Sequence, residues 1–275
     1  MGKAFSSIVN DGSAIFINPA GLTSIDRYNL ISMSGNLLNE IPYMVLGGAW
    51  KTRYGYWGVG YVSAAAGGIK ETLLINGTPE ITGNEANFST SSIILSYAND
   101  AKEMELINRI GFLTDRDATV GFNLKLVSYG FNGAPSFEGQ DANGFDLDVG
   151  TIFPIRENTH GSVTIKNFLP GNNIKSDEMP MTIVGGVANE TPEKNLLTAV
   201  DAEYGSAGFL FRLGAEWNPK EPLFIRGGLD QTADGFDLAF GVGTKIRGFT
   251  FDYAYHTYTN LSEFSTHYFS FGYNR

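Results

Sequence analysis

The residues of this chain whose types could carry chemistry are three histidines and a set of regularly spaced carboxylates, lysines and arginines. His160, His256 and His267 lie in separate segments, with none of the short spacings that bring imidazoles onto one metal ion. A Ser–His–Asp hydrolase would have to use His256 with the nearby Asp252, yet no serine sits in a nucleophile motif. The chain therefore reads as a non-enzyme with no cofactor. Gly58, Gly60, Gly227 and Gly228 do not form a phosphate-cradling loop, because no strand–loop–helix unit surrounds them. They read as places where strands bend or pack closely. The absence of cysteine excludes disulfides and thiolate metal sites. The charged residues Lys125, Asp146, Asp148, Asp201, Glu203, Arg212, Glu216, Arg226, Asp230, Asp237 and Asp252 all fall on the polar side of alternating segments. Arg212, Glu216 and Arg226 are spaced to pair across neighbouring strands. Such pairs either line a ligand path or fill an interior as structural salt bridges.

The elements that must position these charges are strands. In Phe249-Thr250-Phe251-Asp252-Tyr253-Ala254-Tyr255-His256 every odd position is aromatic and every even one small or polar. The segments 235–245 and 266–273 alternate in the same way. A period of two marks a β-strand with two unlike faces. Here the polar face carries glycines and carboxylates, which would pack poorly as a soluble core. The pattern suits a barrel with lipid outside and a polar lumen inside, and charges facing lipid at mid-membrane would cost roughly 2–4 kcal/mol for Arg or Lys. A soluble all-β propeller is the rival fold, and no blade-length repeat supports it.

Alternation and turn residues predict fourteen strands, at 27–38, 41–51, 54–65, 88–98, 117–129, 144–155, 160–167, 180–188, 196–204, 208–217, 222–230, 235–245, 248–256 and 265–273. Most have the length that crosses a bilayer at a tilt. The long connections 66–87, 130–143, 168–179 and 257–264 follow odd strands, and most short ones follow even strands, as outer-membrane barrels require. Connections 39–40, 205–207 and 99–116 break that rule; the last either holds a short periplasmic helix or is a charged solvated loop. Tyr54, Tyr56, Trp57, Tyr129, Trp217, Tyr255 and Tyr273 stand near strand ends, as interfacial girdles or from strand propensity alone.

Residues 1–26 do not alternate and form a separate unit before the barrel of 27–275. Asp11-Gly12-Ser13 reads as a helix N-cap, Ala14 to Ile17 as one apolar turn, and Asn18-Pro19 as its stop. Such a compact segment has a natural place in the lumen as a plug. The formal charge of −10 argues against a nucleic-acid partner. No stretch is long and apolar enough for a membrane helix.

The run DGSAIFINPAGL, Asp11 to Leu22, resembles the N-terminal signature of the PorV/PorQ family within the FadL-like outer-membrane superfamily, as does MGKAF at Met1 to Phe5. The pieces RLGAEW (212–217), IRGGLD (225–230), GFTFDYAY (248–255) and HYFSFGY (267–273) are also similar. The resemblance implies a bacterial outer-membrane barrel of fourteen strands with an N-terminal plug, and an export signal lost upstream of Met1. It implies uptake of a hydrophobic or amphipathic small molecule past the plug, with Asp11, Ser13, Phe16, Asn18, Pro19 and Gly21 on its path. The lumen charges expected beside that path are Asp201, Glu203, Arg212, Glu216, Arg226 and Asp252. The alternative is a non-transporting partner in a type IX-like secretion or surface-assembly system, binding envelope proteins through loops 66–87 and 130–143. Leu73, Leu74 and Ile75 in the first of these favour a partner, or a strand running beyond the membrane. Membrane lipids are expected partners in either case.

Overall fold

A computed structural model of the chain, describing all residues except 115–116, 170, 175–176, 234 and 262–263, is a closed antiparallel barrel of fourteen strands. The strands are β1 (Tyr28–Leu37), β2 (Ile41–Thr52), β3 (Gly55–Ile75), β4 (Thr78–Asp100), β5 (Thr119–Asn132), β6 (Ala142–Arg156) and β7 (Thr159–Lys166), then β8 (Thr182–Glu190), β9 (Leu196–Gly205), β10 (Gly208–Lys220), β11 (Leu223–Thr232), β12 (Gly235–Ile246), β13 (Phe249–Thr257) and β14 (Ser265–Asn274). Each pairs with the next, and β1 closes the circle against β14, with Ser32 opposite Phe271. Closure leaves no unpaired edge around the wall. The long connections 168–179 and 257–264 lie partly outside the described residues.

Sidedness follows the alternation. Phe211, Phe236, Phe240, Phe251 and Phe269 are all at least half exposed. Asp146, Asp201, Asp230 and Asp237, at opposite parity, are buried. The remaining charges, Lys125, Asp148, Glu203, Arg212, Glu216, Arg226 and Asp252, share the inward parity and are buried or half-buried. An apolar surface of this extent in contact with bulk water would be strongly unfavourable; against acyl chains it costs nothing. Two of the proposed girdle aromatics face inward instead. Tyr56 packs against Ile15 and its neighbours, and the Tyr129 hydroxyl donates to the Ile174 carbonyl at 3.2 Å. Trp57 and Trp217 remain on the outer surface.

The expected loop 66–87 is strand instead. β3 and β4 continue to a two-residue turn at Asn76-Gly77, pairing Ile75 with Thr78 and Lys70 with Glu85. Both turn residues have positive φ, 52° and 82°, as a type I′ hairpin needs. The ladder from β2 reaches only Ala64, and that to β5 starts at Asn87, so residues 67–86 form a free-standing ribbon. Its base is braced by Glu71, which is buried. Glu71 accepts hydrogen bonds from Thr82 Oγ1 at 2.6 Å, Asn84 Nδ2 at 2.8 Å and the Ser136 amide at 3.0 Å. Bonds from Ser136, then Thr82 and Asn84, hold the carboxyl down to about 2. A depressed carboxyl stabilises the fold above its ordinary value of 4.5 and loses that contribution as pH falls through about 2. Pepsin cleavage of the ribbon is therefore expected to rise as pH falls through this window. Glu71→Gln, tested with trypsin at neutral pH, is expected to loosen the ribbon at Lys70. Equal cleavage of the variant and the parent would contradict the brace.

Segment 99–116 combines both expectations, a short helix within a largely exposed stretch. It holds a 3-10 turn at Ala101–Glu103 and a four-residue helix at Gly111–Thr114. Met104, Ile107 and Leu113 fold back onto the buried Ala101, Ala118 and Val120, which Phe122 and Phe153 also cover. Residues 115–116 lie outside the described part.

Candidate functional site: the lumen and its N-terminal segment

The first residues of the chain lie against the inward faces of the strands. The helix Ala14–Ile17 is followed at once by a 3-10 helix, Pro19–Ser24, so Pro19 to Leu22 make a further helical turn and not a direct bend into β1. Asn18 is extended, with φ −151°, because a residue before proline avoids the helical region. The predicted N-cap differs in detail. Ser13 makes no capping bond; its amide and hydroxyl instead donate to Asp11 Oδ1.

Asn18 is fully buried and is the most connected residue of this segment. Its Nδ2 donates to the Ser6 carbonyl at 3.0 Å and to the Thr151 carbonyl on β6 at 3.3 Å. Its Oδ1 accepts from the Ala20 amide at 3.2 Å. The turn sits on two glycines that face each other in register, Gly121 on β5 and Gly150 on β6. A Cβ at Gly121 would lie 2.3 Å from the Pro19 carbonyl carbon, and one at Gly150 would lie 2.1 Å from Asn18 Oδ1. Gly58 and Gly60 make the same kind of room for Ile15 and Phe16, and Gly228 for Met1 and Gly2. Gly227 points away from these contacts and meets nothing. Gly21 itself is held against Val9, whose carbonyl oxygen would be 2.4 Å from an added Cβ.

Charged and polar wall groups hold the rest of the segment. Asp201 Oδ2 accepts from the Phe5 and Ser6 amides, both at 3.0 Å, and its Oδ1 from Ser6 Oγ at 2.8 Å. Asn123 Nδ2 donates to the Ile15 carbonyl at 2.9 Å, and Lys166 Nζ to the Phe16 carbonyl at 3.3 Å. Lys3 pairs with Asp230 at 2.5 Å. Ser6 and Lys3 carry no sequence signal that would have singled them out, whereas Asn123 has the parity of Lys125, and Lys166 that of Ser162 and Thr164, so alternation could have found both. Asp201 bonds across 195 residues to Ser6.

Among the described residues the lumen ion pairs fall into three groups, the first being Lys125 with Asp148 at 2.7 Å. Arg212 bridges Glu203 at 2.7 Å and Asp230 at 3.0 Å. Arg226 bridges Glu216 at 2.5 Å and also Asp252. Arg226 and Glu216 thus pair as expected, whereas Arg212 joins another cluster. His256 does not approach Asp252; its Nε2 stands 3.8 Å from Asp230 Oδ2. Four residues along a strand separate two side chains by about 13 Å, so only a neighbouring strand can supply the partner.

Ion-paired charge is concentrated on one side of this interior. Apart from Lys51 and Asp100 at the strand ends beside the N-terminal segment, the inward positions of β1 to β4 through the barrel wall are uncharged, with Ile31, Met33, Tyr43, Val45, Val62, Ala64, Ser92 and Ile94 among them. Every other inward charge of the wall named above stands on β5 to β13. The apolar cluster of Ile15 and Leu22 with Ala49, Ile94 and Ala98, flanked by Phe16, lies on the uncharged side. The interior is therefore amphipathic in cross-section.

No protein-family model matches the chain. No curated protein matches it either. Solved structures do. A deletion mutant of the TodX monoaromatic hydrocarbon channel superposes with TM-score 0.63 at 12% identity, covering 94% of this chain and 92% of that one. A second TodX mutant gives 0.59 at 12% identity, over 96% and 94% of the two chains. A FadL homologue from Pseudomonas aeruginosa gives 0.56 at 10% identity, covering 98% and 96%. The fold is thus that of a fourteen-stranded outer-membrane β-barrel, as in the FadL-like hydrocarbon channels.

Proposed function

We propose that the chain is a bacterial outer-membrane barrel, of the PorV/PorQ kind within the FadL-like group, that passes a small amphipathic molecule. In this reading residues 1–26 are a plug at the periplasmic end, and the turns near Tyr28 face the periplasm. The observation that carries it is the divided interior, uncharged along β1 to β4 between the strand-end residues Lys51 and Asp100 and the ribbon, and ion-paired along β5 to β13. A solute with an apolar body and one polar end has a counterpart on each side. The match to hydrocarbon channels supports the apolar half. The sequence DGSAIFINPAGL and its seat on Gly121 and Gly150 support the PorV/PorQ placement and the plug role of Asp11, Ser13, Phe16, Asn18, Pro19 and Gly21.

The test is uptake of a radiolabelled aromatic carboxylate by cells making the protein in the outer membrane. Uptake is expected to exceed that of cells lacking it, and Val45→Asp on the uncharged wall is expected to cut it by about tenfold, because a carboxylate there disfavours the apolar body. Equal uptake with and without the protein would overturn the reading. Deleting residues 2–24 is expected to turn a closed lumen into an ion-conducting one in planar bilayers.

A second reading is favoured by one feature. The tip of the ribbon exposes Leu73, Leu74, Ile75 and Ile81, with Leu74 at 75%. A protruding apolar tip suits a protein partner on the cell surface. Removing residues 67–86 leaves every rung of the wall intact, so it would spare uptake under the first reading and abolish surface assembly under the second.

A further inference from the structure

The outer wall carries a groove with two chemically distinct ends. On β1 the outward positions Ser32 and Ser34 are small. Register places Ser32 between Phe271 of β14 and Leu46 of β2, and Ser34 between Phe269 and Met44. The trough between these walls belongs to a cavity of about 830 Å³ that continues past Phe251 and Val242. A second cavity, of about 680 Å³, shares Ser34, Met44 and Phe269 with the first and spreads over β3, β4 and β5.

The second cavity has a different floor. From Met44 the register row runs through Ser63, Ser91 and Ser128, so three neighbouring strands each present a hydroxyl. Adjacent strands lie about 4.8 Å apart, which makes a ladder of hydroxyls. One row below, Leu46 leads to Tyr61, Ile93 and Leu126, all apolar or aromatic. Ser63 and Ser91 use their side-chain oxygens for no bond within the described residues, while Ser128 bonds Asn143. At the junction, Tyr253 and His267 share a hydrogen bond of 2.8 Å on this outward face. Among the described residues lining the two cavities there is no lysine or arginine, and the carboxylate of Asp252 is taken by Arg226.

We propose that this groove binds one amphiphile with a saturated chain and an uncharged, hydroxyl-bearing head. The chain lies over Ser32 and Ser34 between the phenylalanines of β14 and Met44 and Leu46 of β2. The head rests on the ladder of Ser63, Ser91 and Ser128, where hydroxyls and amides exchange hydrogen bonds with a sugar. A phosphate head would find no cation here. The site lies on the lipid side of the wall and is independent of what crosses the lumen.

Two probes with the same twelve-carbon chain separate head from tail: dodecyl maltoside and dodecyl dimethylamine oxide. The full chain, exchanged into a short polyoxyethylene detergent, is titrated with each and read by native mass spectrometry. The parent is expected to retain one dodecyl maltoside at a concentration at least tenfold below that needed for the amine oxide. Ser34→Leu fills the trough with a side chain that lipid tolerates, and is expected to lower maltoside retention at least tenfold. Ser63→Ala with Ser91→Ala is expected to remove the preference between heads while keeping chain binding. Heat-modifiability on a gel checks that each variant is a folded barrel. Equal retention of both probes by the parent, or retention unchanged in Ser34→Leu, would overturn the proposal.

Discussion

Gly121→Val is expected to yield a closed barrel whose N-terminal segment no longer stays seated. The added Cβ meets main-chain atoms of Pro19 and Ala20 at 2.3 and 2.4 Å, and main chain cannot rotate away as a side chain can. Overpacking of this kind costs about 1–3 kcal/mol where relief is partial. The segment can relieve it by leaving, but then Asn18 loses Thr151, and the buried carboxylate of Asp201 loses three donors. Unmet buried groups cost about 1–3 kcal/mol each, more for charged ones. Detachment becomes affordable only if water enters and takes over those bonds. The expected result is therefore trypsin cleavage after Lys3, absent in the parent, in a protein that still shifts on boiling in a gel. Asn18→Ala should act in the same direction with a smaller effect. A variant as resistant as its parent would show that the segment does not rest on this glycine.

Phe240→Arg tests the other face. Phe240 is mid-strand on β12, outward, and 55% exposed. An arginine on the lipid face near the midplane costs about 2–4 kcal/mol. Phe240→Ala loses apolar contact alone and should fall well below this. The measurement is the denaturant midpoint of the protein folded into lipid vesicles. If Phe240→Arg cost no more than Phe240→Ala, the outer surface would not be facing hydrocarbon.

The wall was legible because every strand has two faces in different surroundings, so residue type alone reports parity. Asp201, Arg212, Arg226 and Asp252 could be assigned to the interior from this, and so could Tyr56 and Tyr129. Tyr56 has the parity of Gly58, and Tyr129 that of Lys125; reading them as girdle residues ignored that rule. The ribbon of residues 67–86 was also signalled. Its glycines look like loop punctuation, but Asn76-Gly77 between paired segments is a hairpin turn. What the sequence could not supply is depth of contact between the N-terminal segment and the wall. That Gly121 faces Gly150, and that both receive Asn18 and Pro19, depends on a register set by the whole circle of strands. The shift of His256 from Asp252 to Asp230 has the same origin, since partners within reach lie across the sheet.

The join between β1 and β14 has a consequence for biogenesis. Tyr28 and Arg275 exchange both main-chain hydrogen bonds, at 2.9 and 3.0 Å, so the wall is sealed by strands from opposite ends of the sequence. Contacts of such separation are slow to form. Until the last strand docks, the cylinder is an open, curved ribbon with two sticky margins. While that slit is open the residues ahead of β1 can be laid against the glycine seat from the side; once the wall is closed, they reach it only through the barrel's end. Zippering of the final strand thus removes the lateral route to the interior and leaves only the axial one.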